Sequence, residues 1–192
     1  MKSTIQSFFV LACVAFCASP LMKAADKGAS QNWQGIVAER LPLYGHRNWI
    51  VIADSAYPAQ SRAGIETVVS GAEQMDVLKK VLSALAASRH VRPIVYTDRE
   101  LRFVPEADAP GIEKYRQQLS ALLKGTSVQS LPHEEIISKL DQAGQTFQVL
   151  IIKTNLTIPY TSVFLQLDCA YWGAEAEGKL RAAMAAQPGN SK

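Results

Sequence analysis

Three histidines occur in the 192-residue chain, and imidazole is the side chain best suited to moving a proton near neutral pH, because it titrates there unaided. His46 stands ahead of the apolar run Trp49–Ala53, and Asp54 closes that run. An imidazole that gives and takes a proton, beside a carboxylate that holds a hydroxyl or the imidazole itself, needs no metal or organic cofactor. His133 follows Ser130-Leu131-Pro132 and precedes Glu134-Glu135. That pattern predicts a helix start, with Pro in the first turn and acidic residues at the positive end of the helix dipole. His90, between Arg89 and Arg92 in a connector, reads as a surface residue. By position alone His46 and His133 read as structural, and Asp54 as the cap of a turn.

These residues depend on the elements that carry them. Trp49–Ala53 is a continuous apolar run of strand length, as expected of a strand buried on both faces. In an open α/β sheet, ligands bind in the crevice beyond the carboxyl ends of the strands, which makes Asp54 and its irregular loop a candidate site. Ile36, Val37, Leu41 and Leu43 predict a short helix before the strand, with Gly45 as its stop. After the Pro58 loop, Met75, Leu78, Val81, Leu82 and Leu85 recur at helical spacing, and Ile94-Val95-Tyr96 forms a second strand, parallel to the first by a right-handed crossover. A further helix is expected from about Pro110 to Lys124, with Gly125 behind it, and the His133 helix is expected to end at Gly144. Val149–Ile152 and Val163–Leu167 are two more strands, and an Ala-rich helix runs from Glu175 to Ala186. The expected fold is α/β: a three-layer sandwich with a mostly parallel sheet of at least four strands.

Composition sets the frame. Hydrophobic residues make up 48% of the chain and charged residues 19%, enough apolar mass for one sizeable core. The net charge of +3 is scattered rather than clustered, so no nucleic-acid partner is expected. Residues 1–24 have the layout of a secretory signal: Lys2, an apolar stretch from Ile5 to Ala18, then small residues. Cleavage fits Met22-Lys23-Ala24, while Val10-Leu11-Ala12-Cys13 loosely resembles a lipoprotein box. The stretch is shorter than the ~20 residues of a spanning helix, so no stable membrane span is expected. Residues 25–32 read as a flexible leader, 33–172 as one domain and 173–192 as a C-terminal helical extension. Cys169 is then the lone cysteine of the exported chain, without a disulfide partner. His46, Asp54 and His133 are residue types that bind zinc, but no His-x-x-x-His or Cys-x-x-Cys spacing supports a metal site. Dinucleotide, nucleoside-triphosphate and serine-hydrolase motifs are absent.

The stretch Gly45-His46, an apolar strand, then Asp54-x-x-x-Pro58 resembles the opening motif of the ribose pyranase and fucose mutarotase (RbsD/FucU) family. Its continuation, Pro58-Ala59-Gln60-Ser61, is most similar to the fucose branch. A second histidine opens a helix in the last third of that family's chains, as His133 does here. The family's Pro-Tyr-x-Asn stretch before the last strand corresponds to Pro159-Tyr160-Thr161-Ser162, with Tyr160 kept and the Asn replaced. The resemblance spans roughly residues 34 to 172. This chain departs from it in Ser162, in a longer connection from His133 to Tyr160, in the signal, and in the helix after Trp172.

The resemblance implies a monosaccharide mutarotase or pyranase of ribose- or fucose-like sugars, working without a cofactor as a ring-shaped homo-oligomer whose sites are shared between neighbouring subunits. His46 would be the acid/base and Asp54 would hold a sugar hydroxyl or His46. His133, Tyr160 and Ser162 would contact the sugar. A serine hydroxyl does not reproduce the donors and carbonyl of an amide, so the alternative is a non-catalytic exported sugar-binding or assembly protein on the same scaffold. The signal reading predicts a periplasmic or secreted chain that begins after about residue 17 to 25. Intact-mass measurement on the exported fraction checks this: a cytoplasmic chain retaining Met1 would overturn it, and an acyl group on Cys13 would mark a lipid anchor.

Overall fold

A computed structural model describes residues 32–186. The expected signal, almost all of the leader and residues 187–192 lie outside the described residues. Asn32, which the sequence places in the leader, caps the first helix by accepting a hydrogen bond from the Gly35 N–H at 3.1 Å.

Among the described residues six strands form one sheet: β1 (Trp49–Ala53), β2 (Ile65–Val69), β3 (Val91–Asp98), β4 (Val128–Leu131), β5 (Val149–Lys153) and β6 (Val163–Cys169). Their spatial order is β2-β5-β1-β6-β3-β4. The pairings β2/β5, β5/β1 and β3/β4 are parallel, and β6 runs antiparallel to both of its neighbours, β1 and β3. The sheet is therefore mostly parallel. Strands β1 and β3 point the same way, as expected, but β6 lies between them.

Alternation along β1 sends successive side chains to opposite faces. Ile50 and Ile52 enter a core with Trp33 and Val37 of α1 (Trp33–Arg40), Val77, Leu78, Val81 and Leu85 of α2 (Gln74–Ala87), and Ile112, Tyr115 and Leu119 of α3 (Ile112–Leu122). Trp49, Val51 and Ala53 enter a second core with Ile136, Leu140 and Ala143 of α4 (His133–Thr146). Three helices thus cover one face and α4 the other, which is the expected three-layer α/β sandwich. All five β1 residues are buried, and each fully buried Val or Ile contributes about 1.5–3 kcal/mol. The last helix, α5 (Ala174–Ala186), buries no residue. Among the described residues no helix is long and apolar enough to cross a membrane.

Two strands escape the sequence reading. Both β2 and β4 are edge strands, and an edge needs less apolar character than the centre. Glu66 of β2 accepts from Arg40 Nε at 2.9 Å, and β4 is half exposed. The crossover into β3 accordingly starts from β2. Gly111, at φ +94°, forms the N-cap of α3, which leaves Pro110 outside the helix. His90 is half-buried, not a surface residue: its Nε2 lies 3.1 and 3.0 Å from the carbonyls of Leu41 and Tyr44, tying the turn Leu41–Leu43 to β3.

Helix α4 runs past Gly144 to Thr146. Gly144 serves packing instead: a Cβ there would meet Ile65 at 2.8 Å, and a Cβ on Gly64 would meet the Gly144 carbonyl oxygen at 2.5 Å and that of Phe147 at 2.7 Å. Backbone cannot yield as a flexible side chain does. Gly64→Ala is therefore expected to lower stability by about 1–3 kcal/mol, measured by urea denaturation; an unchanged midpoint would refute the close approach.

Candidate active site at the carboxyl edge of the sheet

The five strands that run together end along one edge of the sheet. Because β6 runs the other way, the loop that enters it opens on that same edge. Four of the expected site residues gather there. Asp54 follows β1, His133 follows β4 as the first residue of α4, and Tyr160 and Ser162 precede β6. A cleft of about 380 Å³ is lined by Asp54, Tyr57, Gln60, His133, Glu134 and Tyr160, among others.

Asp54 is held on both carboxylate oxygens. Oδ1 accepts from the Ala56 N–H at 2.9 Å, the Asx turn expected of an Asp at a strand end, and Oδ2 accepts from the Ser162 hydroxyl at 3.1 Å. Ser162 is only 2% exposed, so this residue meets the cleft through Asp54 rather than by presenting its own hydroxyl.

Tyr160 adopts φ +57°, a left-handed conformation that costs a non-glycine residue about 1–2 kcal/mol. The next residue explains how the turn persists. Thr161 is fully buried; its hydroxyl donates to the Ile158 carbonyl at 2.7 Å, and its carbonyl accepts from Tyr115 OH at 2.6 Å and from the Gln74 side-chain amide. The single hydroxyl proton of Thr154 is shared between the Ala53 carbonyl at 2.9 Å and the Gln74 side-chain oxygen at 3.2 Å. This buried network ties α2, α3 and the end of β1 to the strained turn.

His133 is fixed from several sides. Its backbone N–H donates to both Glu100 carboxylate oxygens at 3.1 Å, so Glu100 supplies the cap that Pro132 lacks. Its ring stands edge-on to Tyr160 with centroids 5.7 Å apart. Its Nδ1 lies 3.1 Å from Oδ1 of Asp98, the last residue of β3, whose side chain is wholly buried. Burial is the largest influence on Asp98 and pushes its pKa up to about 6; His133 pulls it down, and Glu100 and Asp54 raise it. Tyr57 is likewise pushed upward, first by burial and then by Asp141 and Asp98, so its phenol keeps its proton.

His46 is not brought to this cleft. It lies in the turn before β1, at the opposite edge of the sheet, and β1 alone spans about 17 Å. There it lines a separate depression of about 760 Å³ with Arg47, His90, Arg92, Asp168, Trp172 and residues of α5. Asp54 therefore cannot hold His46 within one chain. Among the described residues no group of three metal-ligating side chains occurs.

Asp98, Glu100, Tyr57 and Gln60 were missed by sequence reasoning. A signal for Asp98 was present: it ends a strand, as Asp54 does, and the strand-end rule applies equally to both.

The model of the RbsD / FucU transport protein family matches residues 36–169. Among solved structures, RbsD of Bacillus subtilis complexed with D-ribose is similar at a TM-score of 0.50 and 20% identity, over 69% of this chain and 91% of that one. FucU from Bifidobacterium longum gives a TM-score of 0.49 at 18% identity, over 70% and 94% of the two chains. The fucose mutarotase from Streptococcus pneumoniae in complex with L-fucose gives 0.46 at 20%, over 69% and 91%. No curated protein matches the chain in sequence.

The state of Asp98 sets a pH dependence of stability. Its folded pKa of about 6 lies above the ordinary 3.8, so its contribution is fully present below about pH 4 and is lost as pH rises through about 6. That displacement corresponds to about 3 kcal/mol at neutral pH. Asp98→Asn removes the ionisation and is expected to stabilise the fold by up to this amount at pH 8, and by little at pH 4. Urea denaturation at the two pH values checks it, and an equal effect at both would refute the burial argument.

Proposed function

The chain belongs to the RbsD / FucU family, and on that premise we propose that it interconverts cyclic forms of a monosaccharide, either its anomers or its pyranose and furanose rings, without redox change. The observation that carries this reading is the gathering of Asp54, His133 and Tyr160 in one cleft, inside the stretch matched by the family model.

The chemistry needs two proton transfers. One group takes the proton of the anomeric hydroxyl while another protonates the ring oxygen; the bond from C1 to the ring oxygen breaks and C1 becomes an aldehyde. After rotation about the C1–C2 bond, the same hydroxyl adds back to C1 to give the other anomer, or the neighbouring hydroxyl adds to give the other ring size; in either case the attacking hydroxyl loses a proton and the aldehyde oxygen gains one. Imidazole suits both transfers near neutrality. Asp54, its oxygens already anchored by Ala56 and Ser162, holds a sugar hydroxyl. The half-exposed Tyr160 closes the cleft over the sugar. Ribose and fucose are the sugars to try first. The Bacillus protein was solved with D-ribose, and the Pro58-Ala59-Gln60-Ser61 stretch favours the fucose branch.

His46 has a place in this reading only if subunits share sites. We therefore propose a homo-oligomer in which His46 of one copy reaches the cleft of its neighbour, where it and His133 divide the two transfers. The secretory-signal layout of residues 1–24 supports the reading of this protein as exported.

Exchange NMR on ribose and fucose with the wild-type chain is expected to show interconversion well above the buffer rate. Binding of a sugar with no exchange would instead identify the non-catalytic sugar-binding protein. His46→Ala and His133→Ala are each expected to abolish exchange, and oligomers assembled from a mixture of the two to recover part of it, because some clefts then receive both histidines. A mixed assembly as inert as its parents would refute the shared site.

A further inference from the structure

We propose that Asp98 is the positioning residue of this site: it holds the His133 imidazole with its proton on Nδ1, so that Nε2 faces the sugar cleft as the atom that accepts and returns a proton. This rests on the acid/base reading of the cleft, but its central claim concerns a tautomer and is testable without any sugar.

The argument begins with the backbone. Tyr96 belongs to the core beneath α4, and alternation along β3 sends Asp98, two residues on, to the same face. Its side chain is fully buried, with Oδ1 3.1 Å from His133 Nδ1; the approach is that of an ion pair, and Oδ1, Oδ2 and Nδ1 have no hydrogen-bond partner among the described residues. A carboxylate in such a place is a burden on the fold, since burial of a charge is offset only by pairing. An apolar residue at this position would serve packing better. What Asp98 does supply is a carboxylate oxygen within reach of one nitrogen of one imidazole.

The ring is defined on its other sides as well. Glu100 anchors the His133 backbone N–H, and Tyr160 packs edge-on against the ring. His133 Nδ1 is buried while the side chain as a whole is 31% exposed, so the exposed edge is the one that carries Nε2. An acceptor at Nδ1 selects the tautomer with the proton there and leaves the Nε2 lone pair toward the cleft. The charged and titratable groups around the pair are Glu134 on α4, Glu100 after β3, Asp54 and Tyr57 after β1, and Tyr160 before β6. No Lys or Arg lines the cleft among the described residues, so His133 is the basic group beside Asp98.

Nitrogen-15 NMR of the histidine rings in the full chain is the direct test. Near pH 8 the wild-type His133 is expected to carry its proton on Nδ1, and Asp98→Asn and Asp98→Ala are expected to shift it toward Nε2, the form usual for free imidazole. A wild-type ring protonated on Nε2, or a tautomer unchanged in both variants, overturns the proposal. Asp98→Asn, near in shape to the original residue, is further expected to lower kcat for ring exchange by roughly 100-fold with little change in KM, whereas a purely structural role would change thermal stability and leave kcat intact. If the wild type proves inert on every sugar, the functional reading fails while the tautomer measurement still decides the role of Asp98.

Discussion

The candidate site depends on the direction of one strand. Strand β6 lies between β1 and β3 and opposes both, so the chain must enter it from the edge where its neighbours end. Val163 pairs with Ile52 on one side and with Thr97 on the other, which places Ser162 between Asp54, the residue after β1, and Asp98, the last residue of β3. A parallel strand at that position would have carried the Tyr160 turn to the far edge, some 17 Å away. The carboxylates, the tyrosine and the histidine at the start of α4 would then have had no common space.

The edge thus built is locally unfavourable, and the structure compensates from behind. Tyr160 sits at a positive φ and Asp98 is buried with a single partner. Opposite these stand the buried bonds of Gln74, Tyr115 and Thr154, which hold the Thr161 carbonyl and the end of β1 in one register. Every buried polar group of that network contributes a bond to backbone or to another member, the condition under which such networks rigidify a core rather than weaken it. Stability and strain are separated in space: the apolar faces of β1 and β5 carry the first, and the loops at their carboxyl ends carry the second.

The opposite edge has a different character. His46 and Arg47 lie in an exposed turn, with Arg47 itself at φ +76°, beside aromatic side chains of the segment that leads into α5. Tyr171 is 77% exposed and Trp172 44%, and the Trp172 indole donates to Glu177 at 2.7 Å. The two edges of one sheet thus carry the two histidines of the proposed reaction, and only an arrangement of more than one chain unites them.

Much was legible in the linear order of residues. Apolar runs announced β1, β5 and β6, continuous in β1 and interrupted by Gln166 in β6, because a strand covered on both faces needs apolar residues at nearly every position. The three-residue and four-residue spacing of apolar side chains announced α2 and α3, and Pro132-His133-Glu134-Glu135 marked the start of α4. The placement of single residues was legible too, in Asp54 at a strand end and His133 at a helix start. Pairing was not. Which strands neighbour β6, how Asp98 comes to meet a histidine 35 positions later, and that His46 and Asp54 stand apart at the two ends of β1 follow from sheet order and direction. Local sequence sets the period of an element and what bounds it; the burial of every strand against partners distant in the chain decides which ends meet, and in this protein that tertiary choice made the site.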